Sequence, residues 1–280
     1  MQISSFLEIA QQFKVVFLDS YGVIKNYKGL ITGVGKTVEQ LRSSGILIRV
    51  LTNDASRSPK RQMEKFHKLG LKSIQPEDII TSGMMAKHFL ESKVTTGKVA
   101  YLGTPASAQY IIDAKLKAIH ISQVNLEQLE EIAAFVFLDD EGFDWNFDIN
   151  TAVNLLRRKN IPVIVANSDR LYPVAKNDVS IATGGIAQLV ESILNRKFIQ
   201  FGKPDSQMFM YAFEQINQLG DFRKQDILMV GDTLHTDILG GNKFGIQTAL
   251  VLTGNTQERR AEVLIRASGI IPDFICESIV

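Results

Sequence analysis

The chain has 280 residues, and its 31 Lys and Arg against 30 Asp and Glu give a formal net charge of +1. With 45% hydrophobic and 22% charged residues, the composition is globular and excludes a disordered chain; the balanced charge offers no basic surface for nucleic acid. The single cysteine, Cys276, excludes an internal disulfide framework, and no apolar run is long enough to span a bilayer. We therefore expect a cytoplasmic protein that binds neither nucleic acid nor membranes.

Short runs rich in Val and Ile alternate with amphipathic stretches of about a dozen residues. This alternation predicts βαβ units and hence an α/β fold with a parallel sheet covered on both faces. A helix is predicted to begin at Pro59 and to end at Gly70. Near the two ends of the chain, buried strands are predicted at residues 15–18, 46–51, 227–230, 248–252 and 274–276.

The middle of the chain repeats the same alternation. Strands are predicted at residues 99–102, 134–138 and 163–166, and helices at 106–114, 151–159 and 186–195. A second α/β domain inserted into the first would produce this pattern. One long sheet would produce it equally well, so periodicity leaves both arrangements open.

One glycine-rich stretch imitates a nucleotide-binding loop. Residues 33–37 read Gly-Val-Gly-Lys-Thr, but Leu30 stands where the first glycine of a phosphate-binding loop belongs. The stretch therefore predicts a turn followed by a helix.

Aspartates follow two of the predicted strands. Asp19 comes directly after residues 15–18, Asp232 follows the strand at 227–230, and Asp237 lies five residues further on. Ligands of open α/β sheets bind outside the carboxyl ends of the strands, and Mg²⁺ prefers carboxylate oxygens. Taken alone, Asp19 could be a nucleophile, a metal ligand or the cap of a turn.

Two further positions, one in a loop and one at the end of a predicted strand, carry groups suited to binding a phosphate. Lys203 lies between Gly202 and Pro204, where its ammonium could hold clustered carboxylates or neutralise a phosphoryl oxygen. Thr52 and Asn53 follow another predicted strand and offer a hydroxyl and an amide. The simpler alternatives are a solvated lysine and a helix or turn cap.

The order of these residues along the chain resembles the haloacid dehalogenase (HAD) superfamily, whose four motifs match Asp19, Thr52, Lys203 and Asp232 with Asp237. The runs at 51–58, 166–173, 202–204 and 231–238 narrow the resemblance to the class IIA branch of NagD-type and p-nitrophenyl phosphatase-like proteins. The resemblance implies a Rossmann-like core at residues 1–79 and 197–280. An inserted α/β cap of the C2 type would occupy residues 80–196.

The resemblance also implies a function, a Mg²⁺-dependent phosphohydrolase of small phosphorylated metabolites that forms an aspartyl phosphate on Asp19. In the cap, Asn167, Ser168 and Asp169 would contribute to substrate binding, and the cap could serve as the surface of a homodimer. The implied magnesium ligands are Asp19, the backbone carbonyl of Tyr21, Asp232 and Asp237, and the implied phosphoryl-binding residues are Thr52, Asn53 and Lys203.

The first motif departs from the family pattern. It ordinarily reads Asp-x-Asp-Gly, and here it reads Asp19-Ser20-Tyr21-Gly22. The second aspartate is the family's general acid and base, whereas a tyrosine with an ordinary pKa near 10 is a poor base at neutral pH. We therefore expect a slow enzyme, and the alternatives are a catalytically impaired phospho-ligand-binding protein or a phosphotransferase.

Three other residues near these motifs have simpler expected roles. His235 is predicted to be a surface or supporting histidine. Phe143 and Trp145 could contact substrate or belong to the core. Cys276, in the last predicted strand, is expected to be a buried thiol.

Overall fold

The computed structural model describes residues 3–176 and 178–280. Its contacts separate the chain into two units. The first unit contains the residues up to Thr52, Pro59–Ile80 and Lys203–Val280, and the second contains Asn53–Ser58 and Thr81–Gly202.

The strands follow one another in chain order. They are β1 (Val15–Leu18), β2 (Lys25–Asn26), β3 (Gly29–Leu30), β4 (Leu47–Thr52), β5 (Ile79–Thr81), β6 (Lys98–Leu102), β7 (Lys117–His120), β8 (Ile132–Phe137), β9 (Val163–Val165), β10 (Leu171–Pro173), β11 (Val179–Ile181), β12 (Ile199–Gln200), β13 (Ile227–Gly231), β14 (Gln247–Val251) and β15 (Phe274–Cys276).

The α-helices alternate with these strands. They are α1 (Phe6–Ala10), α2 (Val34–Ser43), α3 (Pro59–Lys68), α4 (Ser82–Lys93), α5 (Gln109–Asp113), α6 (Phe147–Arg158), α7 (Thr183–Leu194), α8 (Ser206–Asn217), α9 (Leu239–Phe244) and α10 (Glu258–Ser268).

The first unit is built on a sheet with the strand order β15-β14-β13-β1-β4-β5. The strand pairs from β15 to β4 are parallel, and β1 lies in the middle with Val15–Leu18 buried along its whole length. A strand of four apolar residues suits this position because helices cover both faces of a parallel sheet. The α/β fold with parallel sheets predicted from the alternating pattern is confirmed.

The second unit has its own parallel sheet, in the order β12-β9-β8-β6-β7, and a short antiparallel hairpin of β10 and β11. Its core is a separate apolar cluster that includes Phe135, Phe137 and Leu155. In each unit, several parallel strands therefore end at one edge of the sheet, and polar residues follow them there.

Helix starts were predicted less accurately than strands. Helix α6 begins at Phe147 rather than 151, because Asp144 Oδ1 accepts hydrogen bonds from the amides of Asn146 (2.9 Å) and Phe147 (2.6 Å). Helix α7 begins at Thr183 rather than 186. A Cβ at Gly184 would lie 2.5 Å from the Ser168 carbonyl oxygen, so the glycine lets this helix start pack against that loop.

Helix α5 is shorter than the predicted 106–114. The side chain of Ser107 donates a 2.7 Å hydrogen bond to the Thr104 carbonyl, and this turn delays the helix until Gln109. The turn and helix expected at residues 33–37 correspond to α2, which begins after Gly33 at φ +96°.

The boundaries of the two units differ from the predicted core and cap. The structure assigns residues 53–58 and 197–202 to the second unit, because β12 pairs with β9 and Phe198 joins the second apolar cluster. Residues 1, 2 and 177 of the predicted ranges lie outside the described part. Nowhere in residues 3–176 and 178–280 does a helix have the length and apolar character needed to cross a membrane.

Candidate active site

Two neighbouring strands of the first sheet end in aspartates. Strands β1 and β13 are paired in parallel register, Leu18 opposite Val230, and the Asp19 amide donates a 2.9 Å hydrogen bond to the Val230 carbonyl. Asp19 and Asp232 therefore leave the sheet at the same edge. Both are buried, with exposed fractions of 9% and 1%.

Lys203 lies between two buried carboxylates of this edge. Its Nζ is 2.5 Å from Asp19 Oδ1 and 2.7 Å from Asp237 Oδ1, and it also donates a 2.8 Å hydrogen bond to the Leu51 carbonyl. The side chain is 2% exposed. A lysine with three acceptors in place is a fixed cation, and this geometry argues against the solvated lysine considered from the sequence.

Asp237 reaches the cluster from a π-helical turn, Leu234–Ile238, that follows β13. The Thr233 amide donates a 3.1 Å hydrogen bond to Asp237 Oδ2 and so orients the carboxylate. A Cβ at Gly231 would overlap the Asp237 side chain, so the glycine at the end of β13 allows the approach. The turn thus places Asp237, five residues after Asp232, beside the end of β13.

Asp232 is held in a tight backbone cradle. The Asn255 amide donates to Asp232 Oδ2 at 2.5 Å, and the Thr233 hydroxyl donates to Oδ1 at 3.0 Å. Side chains at Gly22 or Gly254 would overlap its carboxylate. These supporting residues were not predicted from the sequence; the signal available was a glycine a few residues after each of two strands, Gly22 after β1 and Gly254 after β14.

Burial and mutual repulsion dominate the electrostatics of the cluster. Burial raises the pKa of Asp19 to about 7; the Lys203 charge opposes this rise and the Asp237 charge adds to it. Burial, followed by the charges of Asp19 and Asp237, raises the pKa of Asp232 well above its ordinary value. Burial lowers the pKa of Lys203, but the two carboxylates outweigh it and the net shift is upward, so this lysine stays charged.

The carboxylates fit a divalent cation. Oxygen atoms of Asp19, Asp232 and Asp237 lie within 4.8 Å of one another. Lys203 pairs with Asp19 and Asp237, and Asp232 accepts hydrogen bonds from the Thr233 hydroxyl and the Asn255 amide. Burial, and then repulsion from Asp19 and Asp237, raises the pKa of Asp232, and a divalent cation would relieve that repulsion. Hard oxygen ligands in such a cluster suit Mg²⁺.

Tyr21 and His235 lie beside this cluster in the chain. Tyr21 is partly exposed, and its pKa is raised by burial and then by the charges of Asp232 and Tyr27. A phenol with a raised pKa is ionised even less at neutral pH, so its phenolate is rarely present to act as a base. His235 is exposed on the π-helical turn, in agreement with the surface role predicted for it.

The predicted phosphate-binding pair divides at the boundary of the two units. Thr52, 7% exposed, is the last residue of β4 in the first unit, and Asn53, next in the chain, belongs to the second. There, Asn53 Nδ2 donates hydrogen bonds to Asp169 Oδ1 (2.9 Å) and Ser168 Oγ (3.3 Å). Asn167 Oδ1 in turn accepts from the Asp169 amide at 2.9 Å. Within the second unit the structure therefore brings Asn53, Asn167 and Asp169 together.

The other candidate residues are peripheral. Trp145 is 49% exposed and its ring centroid lies 5.7 Å from that of Phe143, which packs on the second apolar cluster. Cys276 is fully buried, as predicted, and burial raises the pKa of its thiol to about 11.

A parallel sheet ending in a buried carboxylate–lysine cluster is typical of an α/β enzyme with an acidic site, and the carboxylates here could hold a metal ion. Family models described as haloacid dehalogenase-like hydrolase and HAD-hydrolase-like match residues 16–117 and 200–280. A solved structure from Cytophaga hutchinsonii, described as a possible sugar phosphatase of the HAD superfamily, is 52% identical and covers 100% of this chain and 99% of its own, with a TM-score of 0.97. The chain belongs to the haloacid dehalogenase superfamily.

More distant relatives agree with this placement. Chronophin from Bos taurus is 26% identical over 271 residues, with 94% of this chain and 90% of chronophin covered. A glycerol phosphate phosphatase from Mycobacterium tuberculosis, solved with magnesium, is 23% identical with a TM-score of 0.78, covering 99% of this chain and 78% of its own, and this likeness shows the fold. The predictions of the superfamily and of an HAD-type phosphatase are confirmed.

Proposed function

We propose that the protein is a Mg²⁺-dependent phosphohydrolase of small phosphorylated metabolites, with Asp19 as nucleophile. The observation that carries the proposal is the Lys203 ammonium, 2.5 Å from Asp19 Oδ1 and 2.7 Å from Asp237 Oδ1. The positive charge of Lys203 opposes the rise in the Asp19 pKa that burial causes, and so favours the ionised carboxylate. An ionised carboxylate at a strand end is a competent nucleophile.

In the first step, an Asp19 carboxylate oxygen forms a bond to phosphorus while the bond from phosphorus to the leaving oxygen breaks. Lys203, the Thr52 hydroxyl and the Asn53 backbone amide would bind the phosphoryl oxygens, whose charge needs such donors. Asp19, the Tyr21 carbonyl, Asp232 and Asp237 would hold Mg²⁺. Bound there, the ion supplies charge neutralisation of the phosphoryl oxygens.

In the second step, water forms a bond to phosphorus, the bond from phosphorus to Asp19 breaks, and inorganic phosphate leaves. Proton transfer limits both steps, because Tyr21 supplies no carboxylate to protonate the leaving oxygen or to deprotonate water. Losing such help typically costs about 10²–10⁴ in rate, or roughly 3–5 kcal/mol of barrier. We therefore expect slow turnover.

The same reasoning selects substrates by their leaving group. Aryl and acyl phosphates need little protonation as they leave and should react fastest. Simple alkyl phosphates should react slowly. A rate that does not change with the pKa of the leaving group would contradict this account and would require another acid.

The test is hydrolysis of p-nitrophenyl phosphate with and without Mg²⁺, by the wild-type protein and by Asp19→Asn. Metal-dependent activity that disappears in the variant supports the proposal. Activity that persists in Asp19→Asn would assign the reaction to another group. No activity in either protein, with Mg²⁺ still bound, would favour the alternative described next.

Tyr21 supports that second candidate, a phospho-ligand-binding protein or a phosphotransferase that delivers the phosphoryl group to an acceptor other than water. Tyr21→Asp separates the candidates. A large gain in hydrolysis supports an impaired hydrolase. No gain in hydrolysis means that the site serves the alternative.

We further propose that the protein is a homodimer formed through the second unit. Leu171 and Ile181 pair across the β10–β11 hairpin, and a Cβ at Gly185 would lie 2.9 Å from Ile181. Leu189 and Ile193 follow Gly185 at successive helical turns. These four side chains, 50%, 52%, 49% and 56% exposed, form an uncharged stripe that we call the apolar stripe. Two copies can cover each other's stripe and so remove its apolar surface from water.

The oligomeric state tests this arrangement. Light scattering after size exclusion should show a wild-type dimer that Leu189→Asp converts to monomer. Met210→Asp, at an apolar residue of the first unit that is 46% exposed, is the matched control and should remain a dimer. A monomeric wild type, or equal dissociation of the control, would contradict the proposal.

The cytoplasmic location expected from the sequence stays a prediction.

A further inference from the structure

The segment Asn53–Ser58 follows the proposed phosphate-binding Thr52 in the chain but belongs to the second unit. It lies between two parts of the first unit, Thr52 before it and Pro59 after it. Its first residue is Asn53, whose backbone amide is a proposed phosphoryl donor. The contacts that hold this segment therefore bear on the geometry of the phosphate site.

Ser82 holds the start of the segment. Its hydroxyl donates a 2.7 Å hydrogen bond to the backbone carbonyl of Asn53, and the side chain is fully buried at the first position of α4. A buried carbonyl without a partner is costly, so this bond restricts the Asn53 backbone to one orientation. The Asn53 side chain is fixed separately by Asp169 and Ser168.

Tyr110 holds the other end through a directional chain of hydrogen bonds. The Met84 amide donates to Thr81 Oγ1 at 3.3 Å, and Thr81 Oγ1 and the Tyr110 hydroxyl are 2.7 Å apart. The Tyr110 hydroxyl donates to the Arg57 carbonyl at 2.6 Å. With its proton committed to Arg57, the phenol oxygen accepts from Thr81, so every donor in the chain has one acceptor.

The packing around Tyr110 is as specific as its hydrogen bonds. The side chain is 2% exposed, and its ring lies so close to Gly83 that a Cβ there would overlap it. A phenylalanine would fill the same space, so the hydroxyl itself is not needed for packing. Its effect is on the Arg57 carbonyl.

We infer that Ser82 and Tyr110 are positioning residues for phosphoryl transfer, holding the segment Asn53–Ser58 at Asn53 and at Arg57 so that Asn53 presents its backbone amide in one fixed geometry. The inference rests on the proposed function. Neither side chain is proposed to contact the phosphoryl group. Their contribution is to remove backbone freedom that a phosphate ligand would otherwise have to restrict on binding.

The test compares Tyr110→Phe with Tyr101→Phe and Ser82→Ala with Ser107→Ala. Tyr101 is a buried tyrosine of β6 outside this network, and Ser107 is a fully buried serine whose hydroxyl also donates at 2.7 Å to a carbonyl, that of Thr104. Each control removes the same atoms within the second unit. The full-length protein with Mg²⁺ is used throughout.

Three quantities are measured for each variant: amide hydrogen exchange of residues 53–58, the Kd of inorganic phosphate by calorimetry, and kcat and KM for p-nitrophenyl phosphate. Loss of one such hydrogen bond should raise the phosphate Kd and the exchange rate about tenfold. The controls should stay within about twofold of the wild type. Thermal unfolding reports any general loss of stability in test and control alike.

The outcomes separate this inference from the proposed function. The positioning role would be overturned if Tyr110→Phe and Ser82→Ala had the same amide exchange rates and the same phosphate Kd as their control variants. This holds even if the wild type hydrolyses p-nitrophenyl phosphate. A wild type without turnover would contradict the proposed hydrolase. Exchange and phosphate binding would still decide whether the two residues position Asn53.

Discussion

The strand-end edges of the two units balance buried acidic charge in different ways. In the first unit, Asp19 and Asp237 share the ammonium of Lys203. In the second unit, Asp139 follows β8 and accepts hydrogen bonds from the Thr104 hydroxyl (2.8 Å) and the Asp140 amide (3.0 Å), which are neutral donors. Burial, with the charges of Asp140 and Asp54 adding to it, raises the pKa of Asp139 to about 6.

The comparison shows that the α/β pattern alone does not make an active edge. Parallel strands deliver carboxylates to one edge in both units, as the fold requires. A fixed cation opposes the rise in pKa that burial causes, but at Asp19 burial and the charge of Asp237 still leave the pKa at about 7. Asp139, with its neutral donors, has a pKa of about 6, so the two edges are distinguished by the fixed cation and not by a lower carboxyl pKa. Four experiments test this difference, in order of expected effect.

Removing the cation should have the largest effect. Lys203→Met leaves Asp19 and Asp237 facing each other without compensation, so kcat/KM for p-nitrophenyl phosphate should fall at least about 10³-fold. The uncompensated pair of carboxylates should also lower the free energy of unfolding by about 3–5 kcal/mol, measured by denaturant unfolding. Lys243→Met, at an exposed lysine of α9, is the control. Activity within tenfold of wild type would remove Lys203 from the mechanism.

Restoring the missing carboxylate should have the next largest effect. Tyr21→Asp should raise turnover of an alkyl phosphate about 10²-fold, because a carboxyl can protonate the leaving oxygen and then activate water. The gain should be smaller for p-nitrophenyl phosphate, whose leaving group needs little protonation. Tyr21→Phe controls for loss of the phenol and should change either rate little. Equal gains for both substrates would argue against acid–base catalysis at this position.

Filling the cradle around Asp232 should weaken metal binding. A Cβ introduced by Gly254→Ala would overlap the Asp232 carboxylate, and such overpacking typically costs about 1–3 kcal/mol. Calorimetric titration with Mg²⁺ should show affinity reduced roughly tenfold or more. Gly35→Ala, in α2 with open space around its Cβ, is the control and should bind Mg²⁺ normally. Unchanged affinity in Gly254→Ala would separate Asp232 from the metal site.

The second edge should respond to pH through Asp139. Its pKa is raised from 3.8 to about 6, a difference on the order of 2–3 kcal/mol. The folded protein binds this proton more tightly than the unfolded chain. The contribution of Asp139 to stability is therefore highest below about pH 4, falls as pH rises to about 6 and stays lower above it.

Asp139→Asn removes that pH dependence. The variant should unfold a few degrees above the wild type at pH 7, and the difference should vanish near pH 4. Asp221→Asn, at an exposed aspartate, is the control. A Tm difference that is the same at both pH values would show that the carboxyl does not titrate in this range.

Much of the first edge could be predicted because its residues follow strands directly. Asp19, Thr52 and Asp232 are each the last residue of a buried strand or the one after it, and the direction of parallel strands places them at one edge. The supporting cradle could not be predicted. Gly22 and Gly254 belong to segments more than two hundred residues apart in sequence, and only folding brings both against Asp232.

The unit boundaries illustrate the same limit on a larger scale. Sequence similarity and the alternation of strands and helices locate two α/β regions. Periodicity does not show which of the two sheets a segment joins when it connects the regions. Residues 53–58 belong to the second unit, where the Ser82 side chain bonds to Asn53 and the Tyr110 side chain bonds to Arg57. These partners lie 29 and 53 residues away in sequence.

The sequence by itself determined the α/β class, the superfamily, the strand-end aspartates and the unusual Tyr21, because these depend on residue type and local order. Tertiary structure alone decided that Lys203 bridges Asp19 and Asp237, that Asp232 lies in a glycine cradle and that Asn53 pairs with Asp169. The physical reason is that charge compensation and close packing depend on distances between segments remote in the chain. Local patterns of residues do not contain those distances.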